Sequence, residues 1–338
     1  MRFVVYGAGA VGSVLGARLH QHGHGVVLIS RGAHFETIRD HGLRLQSPEE
    51  TVTVNVTVID HPARLALGRD DIVLLTMKTQ DTLPALRTLA ASAPPEIGIF
   101  CVQNGVENER LALRLFPNVY GVSVMCPTAY LDPGVVQAYS APVTGILDVG
   151  RYPGGTDEVA QAVSAAFRAS TFESEIRDDI LRWKHGKLLS NLGNAIEVVC
   201  GPPARKGPID DLAKQEGIAC LRAAGIDFAA DDDAPRRELV KPREIGAQSR
   251  PGGSSWQSAQ RGVGTVETDY LNGEIVRLGR FHGVPTPVNE LLQRLANRIA
   301  RERRPPGLML EEEFLVAVGV ETEPADGPPA ASETPTRS

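Results

Sequence analysis

A glycine-rich turn at the start of the chain restricts its fold more than any other feature. Residues 2–6 (RFVVY) are typical of a short buried strand, and Gly7, Gly9 and Gly12 follow it as G-x-G-x-x-G before a helical pattern begins. Gly7 permits a tight turn, Gly9 lets the backbone approach a pyrophosphate, and Gly12 lets the helix pack closely on the sheet. A plain structural turn is the alternative, because 34 of the 338 residues are glycine. The motif and its context predict a dinucleotide site formed by Gly7, Ala8, Gly9, Ala10, Val11 and Gly12.

The length of the chain indicates more than one domain. It has 338 residues, whereas a single domain usually has about 100–200. We expect an α/β fold, with an N-terminal Rossmann dinucleotide-binding domain at residues 1–172 and an all-α C-terminal domain at residues 173–320. Residues 321–338, rich in Pro, Thr, Ser and Ala, are expected to be a disordered tail.

Charge and cysteine usage exclude several classes of protein. The net charge of -6 argues against binding of nucleic acid or of a membrane surface. No apolar run approaches the roughly 20 residues of a membrane-spanning helix, and a strand that starts at Arg2 leaves no room for a signal peptide. The four cysteines include no C-x-x-C pair, which favours reduced, mostly buried thiols of a cytoplasmic protein without a metal site.

Further strands follow the first helix. Residues 25–30 form a second predicted strand, and 51–59 alternate (Val52, Val54, Val56, Val58) like a half-buried antiparallel strand. Residues 71–77 and 97–102 are apolar runs typical of buried parallel strands. Three shorter strand-like runs lie at 119–125, 135–139 and 144–149. From about residue 176 to about residue 318 the periodicity becomes helical.

The residues at the ends of these strands indicate how a cofactor would bind. An NAD-binding fold usually places an acid at the end of the second strand, but here Ser30-Arg31 stands there. An arginine suits a 2′-phosphate, so NADP(H) is favoured, with a solvated loop cation as the alternative for Arg31. Lys78 and Asn104 follow the two buried strands, where strand ends meet the ligand crevice of an open α/β sheet.

A second group of candidate residues lies on one predicted helix. Trp183, Lys187, Asn191 and Asn194 stand at i, i+4, i+8 and i+11, on one face. A lysine and two amides beside an apolar stripe are costly unless they line a polar cavity. The alternative is a lysine that reaches solvent beside a surface amide pair. Spacing alone does not choose between the two.

Two candidates lie further along the chain. Glu267 shares a helical side with Tyr270 and Leu271, which directs it inward, where a lysine across the cleft would be its partner. Its alternative is an exposed helix glutamate. The run GGSSWQ at residues 252–257 offers backbone amides and hydroxyls suited to a carboxylate, including those of Ser255, with an ordinary serine N-cap as the alternative.

Taken in order, these motifs resemble the ketopantoate reductase family (2-dehydropantoate 2-reductases) over about residues 1–318. The resemblance rests on the glycine motif, Thr76-Met77-Lys78, Gln103-Asn104-Gly105, Lys187 with Asn191, Ser255, and the run ETDYLNG at residues 267–273. Ser255 and Glu267 stand twelve residues apart, as the family's serine and glutamate do.

The resemblance implies NADPH-dependent reduction of a 2-oxo acid to a 2-hydroxy acid, with ketopantoate as the first substrate to test and pantothenate biosynthesis as the pathway. It makes Lys187 the general acid, and it makes Glu267 a cofactor contact that orders the site. Asn191 and Ser255 would hold substrate, with Asn194 as a further candidate. Lys78, Asn104 and Arg31 would contact the cofactor. The expected partner is a small-molecule 2-oxo acid, and the expected assembly is a monomer or a homodimer.

The chain also departs from the family pattern. Trp183 precedes Lys187 by four residues, where the family often has Trp-x-Lys. Asn194 follows Asn191 by three residues rather than four. Residues 254–289 resemble a paralogue branch, so the reaction class carries over more directly than the substrate. The alternatives are a dehydrogenase that acts on another 2-oxo acid or an imine, and a non-catalytic NADP sensor.

Overall fold

The computed structural model describes residues 1–229 and 234–320, so the predicted tail lies outside the described residues. In chain order the strands are β1 (Arg2–Tyr6), β2 (Gly25–Ile29), β3 (Leu43–Gln46), β4 (Thr51–Val54), β5 (Thr57–Ile59), β6 (Asp71–Leu75), β7 (Gly98–Cys101), β8 (Val119–Met125), β9 (Thr128–Ala129), β10 (Val135–Ala138), β11 (Gly145–Arg151) and β12 (Phe172–Glu173). The helices of the N-terminal part are α1 (Ala10–Gln21), α2 (Gly32–His41), α3 (Thr79–Ala90), α4 (Asn108–Leu113) and α5 (Glu158–Arg168).

The N-terminal part is built on a mostly parallel sheet. Within the described residues its eight strands lie in the order β12-β11-β8-β7-β6-β1-β2-β5. Strand β1 lies at the centre, where Val4 pairs with Val27 of β2 and with Val73 of β6. Its apolar residues fill both faces because helices cover the sheet on both sides, as in other parallel sheets. The predicted α/β N-terminal domain is therefore confirmed.

The prediction of one antiparallel strand over residues 51–59 was only partly right. Strand β4 does pair antiparallel with β3, in a small second sheet of order β4-β3-β10-β9. Strand β5 instead pairs parallel with β2 at the edge of the main sheet. The apolar alternation continues across Asn55 and Val56 because each sheet buries one side of its own strand, so the pattern gave no sign of the crossing.

The C-terminal part is helical, as predicted. Its helices are α6 (Ile180–Asn191), α7 (Gly193–Val199), α8 (Pro208–Ala223), α9 (Ala234–Glu238), α10 (Ser254–Gln260), α11 (Asn272–His282), α12 (Pro287–Arg301) and α13 (Glu311–Ala317), with 3-10 turns at Pro202–Lys206 and Glu267–Tyr270. Of the apolar stripe predicted at Leu181, Leu188, Leu192 and Val199, the last three are each 0% exposed, whereas Leu181 is half-buried. These three pack with Ile275 and Leu292 in the core of this part.

Two further observations concern membrane-spanning helices and the cysteines. No helix within the described ranges is both long enough and apolar enough to cross a membrane. All four cysteines are free thiols, with Cys101 and Cys220 buried and Cys126 and Cys200 half-buried.

Candidate active site

The glycine motif forms a tight turn between β1 and α1. Gly7 has a φ of +105°, and a Cβ there would lie 2.6 Å from the backbone nitrogen of Met77. A Cβ at Gly12 would lie 2.7 Å from the carbonyl oxygen of Gly7. At Gly9 the nearest atom to a Cβ would be 4.0 Å away. Gly7 and Gly12 thus permit the turn and the close packing, while Gly9 leaves the backbone open to a ligand at the start of α1.

Arg31 stands just beyond the carboxyl end of β2, directly before α2. It is exposed, and its charge acts on Tyr6 at the end of β1, where it opposes the rise that burial causes in the tyrosine's pKa. This position places the guanidinium at the carboxyl edge of the sheet, beside the glycine turn.

Glu267 is buried and takes its partners from the N-terminal domain. It is 5% exposed, and its Oε1 accepts hydrogen bonds from the backbone N–H and the hydroxyl of Thr79, at 3.1 and 3.2 Å. Burial raises the pKa of Glu267, while the charge of Lys78 and the bonds from Thr79 act against that rise. The inward orientation was predicted. The lysine beside the carboxylate is Lys78 rather than Lys187, because the 3-10 turn packs against the start of α3.

Lys78 joins the two domains at the same place. Its ammonium donates a hydrogen bond to the hydroxyl of Ser258 in α10. Burial lowers the pKa of Lys78, and the neighbouring Glu267 carboxylate opposes that change. Lys78 therefore lies between the strand end that the sequence indicated and the helical domain.

Asn104 and Asn191 meet across the cleft. The Nδ2 of Asn191 donates to the Oδ1 of Asn104 at 3.0 Å, and the backbone carbonyl of Asn104 accepts from Asn108 Nδ2, also at 3.0 Å. The end of β7 is thus linked directly to helix α6. Sequence reasoning selected both asparagines for separate roles and did not foresee their contact.

A cavity of about 580 Å³ opens between the two domains. Its wall includes Val11, Asn104, Lys187, Asn191, Asn194 and Arg250. Lys187 and both amides therefore face one polar cavity, which rules out a surface amide pair. The helix that carries them is not continuous, because α6 ends at Asn191 and α7 begins at Gly193. No group of three His, Cys, Asp or Glu side chains in the described ranges could hold a metal ion.

Lys187 has an unusual electrostatic environment. Its pKa is lowered to about 7, first because the surrounding protein removes it from water and then because Arg205, Arg237 and Arg250 add positive charge nearby. A lysine with a pKa near neutrality can both hold and release a proton under physiological conditions. This makes Lys187 the residue in the cavity best suited to proton transfer.

Lys184 was missed as a site residue. Its Nζ lies 2.5 Å from Glu109 Oε1 and donates to the carbonyl oxygen of Gln103 at 3.0 Å. Both side chains are almost completely buried. The pair holds α6 against the loop that carries Asn104. No local signal could have found it, because Lys184 and Glu109 are 75 residues apart.

A second network holds Asn194. Arg205 Nη1 donates to Asn194 Oδ1 at 2.8 Å and lies 2.6 Å from Glu197 Oε1. The same Glu197 accepts, through Oε2, a bond of 2.5 Å from the backbone N–H of Gly253. Asn194 is thus engaged by the protein itself. Nothing in the sequence pattern had drawn attention to Arg205 or Glu197.

Ser255 lies at the start of α10 and is 2% exposed. The wall of the cavity is formed by its neighbours Gly253 and Ser254, together with Gln257. The predicted segment therefore reaches the cavity, although the hydroxyl singled out by the resemblance belongs to a buried residue.

The chain is similar to known proteins along most of its length. Residues 3–154 match the family described as "Ketopantoate reductase PanE/ApbA", and residues 179–300 match "Ketopantoate reductase PanE/ApbA C terminal". A 2-dehydropantoate 2-reductase of Caulobacter vibrioides is 30% identical over 310 residues, covering 88% of this chain and 98% of the relative. One from Pyrococcus horikoshii is 29% identical over 301 residues, covering 86% of this chain and 95% of the relative.

Solved structures give the same result for the fold. A PanE/ApbA family ketopantoate reductase from Ralstonia eutropha superposes with a TM-score of 0.75 at 27% identity, covering 90% of this chain and 99% of the other. A D-mandelate dehydrogenase, solved with NADH and anilino(oxo)acetate, superposes with a TM-score of 0.76 at 21% identity, with the same coverage. At that identity the second likeness concerns the fold alone.

Proposed function

The chain belongs to the ketopantoate reductase family, and on that premise we propose that it reduces 2-dehydropantoate (ketopantoate) to pantoate with NADPH. The observation that carries the proposal is the position of Lys187, a lysine of lowered pKa that faces the cavity between the two domains together with Asn104 and Asn191. Such an arrangement suits protonation of an oxygen that becomes negatively charged during the reaction.

The glycine turn fits a dinucleotide. Gly9 leaves the backbone open to a ligand, and the first turn of α1, which has no side-chain cap, offers the N–H groups of Ala10, Val11 and Gly12 to a pyrophosphate. Val11 lines the same cavity as Asn104 and Lys187, so a cofactor held at the turn would extend toward the lysine. A bound nicotinamide supplies the hydride that reduces the C2 carbonyl of the substrate.

The preference for NADPH over NADH is assigned to Arg31. It is exposed beyond the end of β2, where a dinucleotide-binding fold places the ribose of the adenosine half. A guanidinium there would pair with a 2′-phosphate, whereas no acid is present to hold a free 2′-hydroxyl.

Lys187 acts as the general acid in this proposal. Its ammonium would stabilise the negative charge that develops on the C2 oxygen and then donate the proton that completes the alcohol. Because the pKa is about 7, the lysine releases this proton readily and recovers it from solvent near neutral pH.

The remaining candidates hold the site in place. Asn191 would bind substrate and, through its bond to Asn104, keep α6 in register with the cofactor-binding edge. Glu267 and Lys78 form the side of the site where the ribose and nicotinamide would lie. Asn194 and Ser255 are assigned to the support of the substrate wall, as their burial favours.

The test is the decay of NADPH absorbance when ketopantoate is added to the purified full-length chain. A panel of other 2-oxo acids is run beside it, each with and without an amine. Fast turnover with ketopantoate supports the proposal. A better rate with another 2-oxo acid, or a rate that requires the amine, would change the substrate assigned to the enzyme. The assignment as an NADPH-dependent reductase would remain. Tight NADPH binding without oxidation by any carbonyl compound would contradict an enzymatic role.

A further inference from the structure

The cavity between the domains carries more positive than negative charge. Its wall includes Lys187, Arg205, Lys241 and Arg250, together with the exposed Lys206 and with Arg237, which has a partner of its own, and Glu238 is an acidic neighbour. A cavity of one sign attracts a ligand of the other sign. Which cation the ligand would meet depends on which of them is already neutralised within the protein.

Two of these cations have carboxylate partners. Arg205 lies 2.6 Å from Glu197, which is buried and also receives the bond from Gly253. Lys241 lies 3.5 Å from Glu238, with both side chains exposed. Arg205 is therefore fixed in a network of the protein, and Lys241 belongs to the exposed rim.

Arg250 differs from both. It is half-buried at the cavity, and its Nε is buried with no hydrogen-bond partner within the described parts of the chain. No carboxylate of those residues lies within ion-pair distance of it. Burial lowers the pKa of this guanidinium, and the charge of Glu197 only partly offsets that effect. A half-buried guanidinium whose buried Nε–H has no partner is unfavourable unless a ligand provides one.

We propose that Arg250 binds the C1 carboxylate of the substrate and thereby restricts the site to 2-oxo acids. This inference rests on the proposed function, since it assigns the carboxylate of the same substrate. Arg250 and Lys187 line one cavity, and the positive charge of Arg250 helps to lower the pKa of Lys187. In a 2-oxo acid the carboxylate and the reacting carbonyl are adjacent. Two neighbouring cations can therefore act on the same substrate, Arg250 on the carboxylate and Lys187 on the carbonyl oxygen.

The chemistry of the two groups matches this division. A guanidinium binds a carboxylate through two parallel hydrogen bonds, which fixes the plane of the acid as well as its position. An ammonium binds one oxygen and can transfer a proton to it. Asn191 donates through Nδ2 to Asn104 and Asn194 accepts through Oδ1 from Arg205, and neither amide carries a charge that would neutralise the acid.

The test compares Arg250→Gln and Arg250→Lys with the unmodified chain, using ketopantoate and its uncharged methyl ester as substrates. For Arg250→Gln we expect kcat/KM with the acid to fall about 10- to 100-fold, mainly through KM, as for the loss of a charged hydrogen bond. The rate with the ester should change much less, since the ester has no charge for Arg250 to bind and only the influence of Arg250 on the pKa of Lys187 is lost. Arg250→Lys should recover part of the loss. Arg243→Gln is the matched control, because Arg243 is an exposed arginine of the same segment.

Binding of pantoate in the presence of NADP⁺ is measured by calorimetry on the same variants, so that the result does not depend on turnover. A loss of pantoate affinity in Arg250→Gln supports the proposal even if no substrate is reduced, in which case only the proposed reaction fails. Equal losses with acid and ester, or unchanged pantoate binding, would overturn the role of Arg250. A raised KM for NADPH alone would assign the arginine to the cofactor and overturn it too.

Discussion

The two walls of the cleft are built in different ways. The N-terminal wall depends on the backbone of the glycine turn, where Gly7 and Gly12 leave no room for a Cβ. The helical wall depends on side chains from distant segments, with Lys187 on α6, Arg205 on a 3-10 turn and Arg250 in the loop before α10. A local motif can therefore identify the first wall, whereas only the folded chain identifies the second.

The difference has a physical origin. Parallel strands end at one edge of a sheet, so the topology of the sheet alone brings together the polar residues that follow β6 and β7. Helices impose no such convergence, and their side chains meet only where tertiary packing brings them together. We therefore expect substitutions in the helical wall to separate chemistry from stability, and substitutions in the glycine turn of the N-terminal wall to affect both.

The largest effect is expected for Lys187→Ala. Loss of a general acid should lower kcat by about 10²- to 10⁴-fold, because Lys187 is the proposed proton donor to the C2 oxygen. NADPH binding, measured by fluorescence titration, should remain. Near-normal turnover of this variant would mean that another group supplies the proton.

Lys184→Met tests whether two lysines of α6 have different roles, with Lys184 needed for stability and Lys187 for the reaction. Removing one partner of a buried ion pair typically costs about 3–5 kcal/mol, because Glu109 would be left charged and buried. Urea unfolding should show this loss, and the double variant Lys184→Met/Glu109→Leu should recover part of it. Lys187→Met is the control, and it should unfold at nearly the same urea concentration as the unmodified chain. Equal stability of all these variants would contradict a structural role for the pair.

Gly7→Ala tests the backbone-defined wall. A residue with a side chain at a φ of +105° costs about 1–3 kcal/mol, and the new Cβ would press on Met77. We expect lower thermal stability together with weaker NADPH binding. Gly23→Ala provides the control, since Gly23 also has a positive φ but has no atoms within 4 Å of a Cβ. A stable variant with intact NADPH affinity would show that the turn tolerates more than its geometry indicates.

Arg31→Asp should change cofactor preference alone. Loss of a guanidinium from the 2′-phosphate should weaken NADPH binding about tenfold or more, while an acid at this position can accept a bond from a free 2′-hydroxyl. The ratio of kcat/KM for NADPH to that for NADH is the measurement. A variant that keeps its preference for NADPH would remove Arg31 from the cofactor site.

The pH dependence of the reaction tests Lys187 without any substitution. Since the acid is the protonated form of Lys187 and its pKa is about 7, kcat/KM for reduction should be full below pH 7 and fall as pH rises through that value. The decrease should approach tenfold per unit at higher pH. A profile that stays flat to pH 9 would exclude a lysine of lowered pKa as the acid.

Much of the N-terminal fold could be predicted from its sequence, whereas fewer features of the candidate active site could be predicted. The apolar runs at β1, β2, β6 and β7 revealed their strands because a buried strand needs apolar residues on both faces. The strand β3 was missed because Leu43 and Leu45 alternate with polar residues over only four positions. The crossing between sheets at residues 55–56 was missed because alternation continues through it.

The site shows the same limit. The face shared by Lys187, Asn191 and Asn194 followed from helical spacing, even though the helix breaks at Leu192. The partners could not be predicted, because Thr79 lies 188 residues from Glu267 and Glu109 lies 75 residues from Lys184. Which of several lysines and arginines remains without a carboxylate partner depends on all such contacts at once.

The buried pair of Lys184 and Glu109 also has a mechanical consequence. It clamps α6 to α4 of the sheet domain, with a second attachment at the carbonyl of Gln103. Lys187 lies one turn further along α6, so the ion pair also fixes its position relative to the domain that carries the glycine turn. Any movement of the cleft that leaves this ion pair intact keeps Lys187 aligned with the edge of the sheet where the cofactor would bind.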